Sequence, residues 1–151
     1  MKTKQYGCLL PNEEIIIEDG LKKIIDINVG DTVMTHTGEF VKVTKIWNFN
    51  KPVYYVTFIN GEHIECSNTH RLLVNKSKID KESSWKTIQE LHDGDVIYMV
   101  NIVNETGIIQ YKSMKISRIF KSGNDDTPVC DLTVEGSNTY ISANGVINHS
   151  F

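Results

Sequence analysis

Apolar residues in this chain come in short bursts, and no segment keeps a helical period over three turns. The first burst, Ile15-Ile16-Ile17, lies between Glu13 and Glu18 and is β-branched throughout, which favours a strand. Glu18-Asp19-Gly20 is the turn that ends it. Strand character returns over Thr32–Thr35, Phe40–Trp47, Pro52–Ile59, His63–Cys66 and Arg71–Val74, with turn signals at Thr37-Gly38, Asn48–Asn50 and Asn60-Gly61. Asn60-Gly61, between two alternating runs, is the strongest hairpin signal. Only Trp85–His92 has the spacing of a helical turn or two, and Lys76–Ser84 reads as a charged surface loop. The pattern predicts an all-β chain of many short strands.

Part of the pattern occurs twice. Ile24, Ile27, Gly30 and Asp31 have the spacing of Ile88, Leu91, Gly94 and Asp95. Val41–Trp47 then matches Met114–Phe120 in character, and each is followed by a polar loop, a Pro-Val pair (Pro52-Val53, Pro128-Val129) and a strand containing Thr57 or Thr133. Ordered matches at nearly constant offset point to an internal duplication. They predict two β-subdomains related by a pseudo-two-fold axis, each too small to bury a core alone. Asn101–Lys112 reads as a polar, irregular stretch where an insertion or chain break would cost little.

Composition narrows the classes. A length of 151 residues, 40% apolar and 23% charged, fits one globular domain, and a small net charge of −3 without any Lys/Arg block leaves no nucleic-acid footprint. No apolar run is long enough to span a membrane, and Met1–Gly7 lacks the apolar core of a secretory signal. Three cysteines without a CxxC pair argue against a disulfide framework or a zinc site and fit a reducing, cytoplasmic setting. No cofactor is implied.

The polar residues supply candidate chemistry. Cys8 is either a buried core thiol or a nucleophile. Following Gly7, its sulfur can attack its own preceding carbonyl through a five-membered ring, converting the amide to a thioester. That step needs a proton for the departing nitrogen and donors for the oxyanion. Ser67-Asn68-Thr69-His70, between two strand-like runs, reads as a solvated turn or as the source of both, with His70 the proton donor and the Ser67 hydroxyl polarising a carbonyl. Asp131 interrupts an apolar strand and is edge-facing or functional, whereas His36, His63 and His92 read as surface or hairpin residues. The last residues, Asn144-Gly145-Val146-Ile147-Asn148-His149-Ser150-Phe151, combine a turn with acyl-transfer chemistry, so they are either a surface tail or a segment brought beside Cys8.

Taken in order, Cys8, Ser67-x-x-His70, Cys130-Asp131-Leu132-Thr133-Val134-Glu135 and Asn144-Gly145…His149 resemble an intein, a protein-splicing element of the hedgehog–intein (Hint) superfamily, over essentially Cys8 to Ser150. The resemblance implies the horseshoe-like Hint fold and single-turnover self-processing without a homing endonuclease domain. It implies an N-extein or appended segment over 1–7, an intein over 8–150 and a downstream residue at 151, the boundary falling at 149/150 if Ser150 belongs to the extein. Cys8 would perform the N-to-S acyl shift, Ser67 would stand where the family usually has Thr, and His70 would protonate or strain the Gly7–Cys8 amide. Asp131 would relay protons, and His149 would assist cleavage at the C-terminal junction. The substrate would be the chain's own flanking segments, acted on by a monomer with no nucleic acid or membrane partner.

Two positions depart from the family pattern. Asn138 stands where a second histidine is common, and Ser150 stands where Asn follows the penultimate His. Either Ser150 replaces that Asn or the Asn is deleted and Ser150 is the downstream nucleophile. Serine has no amide nitrogen with which to form a succinimide, and Asn148 is off register for that role. The resemblance therefore implies an element whose N-terminal chemistry is complete and whose splicing is blocked. A hedgehog-type domain that cleaves without splicing and a non-catalytic β binding module are the competing classes.

Overall fold

The structure is a computed structural model that describes residues 7–102 and 109–151. Its strands are β1 (Glu14–Ile17), β2 (Gly20–Lys23), β3 (Thr32–Met34), β4 (Phe40–Lys51), β5 (Val53–Phe58), β6 (His63–Ser67) and β7 (Arg71–Leu73), then β8 (Trp85–Thr87), β9 (Val96–Ile102), β10 (Ile109–Lys121), β11 (Thr127–Val134), β12 (Thr139–Ile141) and β13 (Ile147–His149). Among the described residues the helical elements are single 3-10 turns. The strands form a five-stranded sheet in the order β11-β4-β3-β1-β2, a four-stranded sheet β6-β5-β10-β9, and the pairs β12-β13 and β7-β8.

The repeat read from the sequence reappears as repeated hydrogen bonding. Gly30 N donates to Val43 O and Val43 N to Asp31 O. In the second half Gly94 N donates to Ile116 O and Ile116 N to Asp95 O. The carboxylates of Asp31 and Asp95 likewise cap the backbone N–H groups of Asn28 and His92. The long strands are exchanged between the halves: β4 pairs with β11, putting Trp47 opposite Asp131, and β10 pairs with β5, putting Phe120 opposite Tyr55. Each half thus completes the other's sheet, and one apolar core runs through both, including Leu9, Ile24, Ile27, Val43, Ile88, Leu91, Ile116 and Leu132.

Three expectations change. Residues 48–50, read as a turn, continue β4, because Asn48, Phe49 and Asn50 pair with Cys130, Val129 and Pro128 of β11. Residues 85–92 are not an α-helix: Trp85 pairs with Leu73 as part of β8, and the following 3-10 turn Ile88–Glu90 is started by the Glu90 carboxylate accepting from the N–H and hydroxyl of Thr87. In the stretch 101–112, Asn101 pairs with Gln110 and Ile102 with Ile109, extending the β9–β10 hairpin, while 103–108 lie outside the described residues. The hairpin at Asn60-Gly61 forms between β5 and β6 as expected.

Candidate functional site

Residues 7–9 enter between β6 and β11. Leu9 bridges to both strands and exchanges backbone hydrogen bonds with Cys130, N to O at 2.9 Å and O to N at 2.8 Å. One residue earlier, Ser67 N donates to Cys8 O at 2.9 Å, and Cys8 N donates to Ser67 Oγ at 3.0 Å. Ser67 therefore contacts the nitrogen of the Gly7–Cys8 peptide, not its carbonyl as the sequence reading had it. The reason is register: Ser67 ends β6 and its own N–H is committed to Cys8 O, which turns its side chain toward the Cys8 N–H.

Gly7 lies against His70. A Cβ on residue 7 would come within 2.5 Å of His70 Cα and 2.9 Å of its Nδ1, so the close approach requires glycine. His70 is fully buried, its turn fixed by His70 N donating to Ser67 O, and Ile88 N donates to His70 O. The solvated-turn reading of 67–70 is thereby excluded. His70 Nε2 lies 2.9 Å from Asn148 Oδ1, whereas Nδ1 is buried with no hydrogen-bond partner. Burial lowers the imidazole pKa to about 4, only partly offset by the Asn148 bond and assisted by His149 and Arg71.

Asp131 faces inward from β11 and is fully buried, which removes the edge-facing alternative. Its Oδ1 accepts from Tyr140 Oη at 2.7 Å and from Leu132 N at 2.8 Å, and Oδ2 has no partner. Burial pushes this carboxyl well above its usual range despite both hydrogen bonds. Burial likewise raises the Cys8 thiol, with Lys51 acting in the opposite sense. Lys51 Nζ donates to Thr69 Oγ1 at 3.0 Å, and Thr69 Oγ1 lies 3.4 Å from Ser67 Oγ, so a cation reaches the junction through two hydroxyls. The thiols of Cys66 and Cys130 are also buried.

The chain end is docked, not frayed. Gly145 makes the turn into β13 with φ +89°, and a Cβ there would lie 2.3 Å from Val100 O. His149 sits on β13 opposite Thr139, its ring edge-on to Trp85 at 4.8 Å, and its Nδ1 donates to Ser150 O at 2.8 Å. Ser150 N donates to Asn138 O and Phe151 N to Leu132 O, and the Phe151 ring stacks on Trp47 at 3.8 Å. The Asn138 side chain turns away to donate to Ile79 O. Of the other histidines, His63 and His92 are exposed, but His36 is half-buried and its Nδ1 lies 2.7 Å from Thr139 Oγ1.

The structure thus brings Cys8, Ser67, His70 and Asp131 together, and ties His70 to β13, which carries His149. Lys51, Thr69, Tyr140 and Asn148 join them without having been singled out as site residues. Lys51 and Thr69 carried a signal in retrospect, as polar residues adjoining Pro52 and His70; Tyr140 and Asn148 carried none.

No protein-family model matches the chain. A 40-residue segment is 48% identical to an uncharacterized protein of Methanocaldococcus jannaschii, covering 26% of this chain. Warthog protein 6 of Caenorhabditis elegans is 24% identical over 123 residues, covering 77% of this chain, and the ATP-dependent DNA helicase Hel308 of M. jannaschii is 24% identical over 133 residues, covering 72%. The chain spans only 5%, 20% and 11% of the lengths of these relatives. Among solved structures, the gp41-1 intein matches with a TM-score of 0.73 at 23% identity over 97% of this chain and 100% of that one. A DnaB intein from Synechocystis matches with a TM-score of 0.74 at 21% identity over 96% and 99%, and the PabCDC21-1 intein with 0.74 at 16% over 95% and 98%. The fold is the all-β, horseshoe-like Hint fold that these inteins share.

Proposed function

We propose that the chain is a self-processing element of the mini-intein type that acts on its own flanking segments. The observation carrying this reading is the clamped Gly7–Cys8 peptide, with its N–H on Ser67 Oγ and its glycine against the unpartnered Nδ1 of buried His70. The Cys8 sulfur attacks the Gly7 carbonyl carbon, forming the C–S bond as the C–N bond to Cys8 breaks. His70, neutral at rest, takes the thiol proton on Nδ1 and returns it to the departing nitrogen, so the step is proton-neutral. Lys51 favours the thiolate, and Asp131, whose carboxyl burial makes harder to ionise, is the proton relay for the later exchange at the thioester. Residues 1–7 are then the upstream segment, 8–150 the processing domain and 151 the first downstream residue. No cofactor takes part, and a monomer in a reducing cytoplasm, which keeps Cys8 a thiol, suffices.

Ser150 in the place of the terminal Asn is supported by the bond from His149 Nδ1 to Ser150 O, which polarises the carbonyl of the Ser150–Phe151 peptide. If Ser150 were the downstream nucleophile, the carbonyl needing that donor would belong to His149. Serine has no carboxamide to cyclise, and Phe151 has no hydroxyl or thiol to receive an acyl group, so processing stops after the thioester. That stop also favours, as a second reading, an element that cleaves without splicing.

Incubation with a small thiol tests the first step. Released Met1–Gly7, detected by mass, is expected, with a drop of at least about tenfold in His70→Ala. An intact chain under thiol would overturn the reading.

A further inference from the structure

The amide of Asn148 can sit only one way round. Its Nδ2 reaches Tyr140 O at 3.2 Å, Val146 O at 3.2 Å and Ser142 Oγ at 2.6 Å, and two of those three are carbonyl oxygens that cannot donate. The NH2 end must therefore face them, leaving Oδ1 toward His70 Nε2 at 2.9 Å. An amide oxygen only accepts, so Nε2 must carry the hydrogen. A neutral imidazole has one N–H, which leaves Nδ1 bare on the side facing Gly7.

We infer that Asn148 is a positioning residue that fixes His70 in the Nε2–H tautomer, so that the docked C-terminal strand β13 prepares the base at the N-terminal junction. This deepens the self-processing reading and rests on it. Asn148 is fully buried, and its side-chain hydrogen bonds among the described residues go to His70, Tyr140, Ser142 and Val146 and not to the Gly7–Cys8 peptide, so it acts through His70. The arrangement gives the two chain ends a physical order. Until residues 144–148 dock, the His70 tautomer is free, and the acyl shift lacks a set acceptor. Undocked chain is thereby kept from premature thioester formation. The titratable groups around the pair are Arg71 on β7, His149 on β13, and Tyr140 on β12 with its partner Asp131.

Nitrogen-15 NMR of the native chain reads the tautomer directly. The neutral His70 ring is expected with its proton on Nε2; a proton on Nδ1 would overturn the inference. Asn148→Leu removes the acceptor and is expected to slow thiol-induced release of residues 1–7 at least tenfold, while release at the native rate would contradict the assignment. In Asn148→Asp the protonated acid reproduces both ends of the amide, its O–H toward the carbonyls and its C=O toward His70, whereas the carboxylate still accepts from Nε2 but favours the imidazolium, which puts a proton on Nδ1 and removes the base. The ratio of variant to native release rates should therefore fall as pH rises; a pH-independent ratio would speak for a merely structural asparagine. Should Asn148→Leu fail to fold, the native tautomer and the Asp profile decide. If the native chain releases nothing under thiol, the self-processing reading fails, and the tautomer still reports whether Asn148 orients His70.

Discussion

Single residues in this site are defined by where protons cannot go. Burying His70 and Asp131 leaves one atom of each without a partner, a cost of about 1–3 kcal/mol apiece. Burial favours the neutral form of both groups, lowering the imidazole pKa and raising that of the carboxyl. The signs give two predictions. His70 has a folded pKa of about 4 against 6.5 free, so the unfolded chain binds the extra proton first, and stability present above 6.5 is lost as pH falls toward 4. Thermal unfolding followed across that window should show a decline that is shallower in His70→Ala. Asp131 behaves oppositely: the unfolded chain ionises at a lower pH than the folded one, so its burial costs stability as pH rises. Asp131→Asn should raise the melting temperature, more at about pH 8 than at about pH 5, while slowing chemistry at the thioester. At Gly7 the constraint is steric. Gly7→Val places a side chain on His70 and should slow thiol release at least tenfold without a matching loss of stability, readable as a release rate beside an unfolding curve.

Secondary-structure elements were largely legible because each burst of β-branched and aromatic residues is bounded by its own turn chemistry. The duplication was legible too, since Ile24, Gly30 and Asp31 and their counterparts Ile88, Gly94 and Asp95 recur with the same spacing. What the local pattern hides is exchange between the halves. Asn48–Asn50 looks like a turn until β11 pairs with it, and only that pairing carries the strand on to Lys51. Asn148 reads in the sequence only as off register for cyclisation, and its place beside His70 emerges only when β12 and β13 pair and turn its amide inward. Residues with intrinsic reactivity, Cys8, His70, Asp131 and His149, could be picked out from type and order; residues that act by position could not. The turn before β13 is the element's weak point. Gly145→Ala meets Val100 O and a positive φ together, so a destabilisation of about 1–3 kcal/mol in chemical unfolding is expected, with thiol release impaired alongside.

For the whole molecule, the pseudo-two-fold exchange does one thing that no half could do. It carries residues 7–9 between β6 and β11 and seats Phe151 on β11, so the two ends of the described chain are held by the same strand. Leu132 O receives Phe151 N, and Cys130, two positions before, is bonded to Leu9. On the proposed self-processing reading the defect is chemical, not geometric: His149 Nδ1 donates to Ser150 O, and a carboxamide at residue 150 and a following nucleophile are what splicing would still require. Restoring both, by Ser150→Asn with a serine inserted before Phe151, is the most direct test. Intact-mass analysis should then find Met1–Gly7 joined to Ser-Phe and a separate fragment that begins at Cys8 and ends at the new asparagine. A chain that keeps its full mass after this repair would contradict the account.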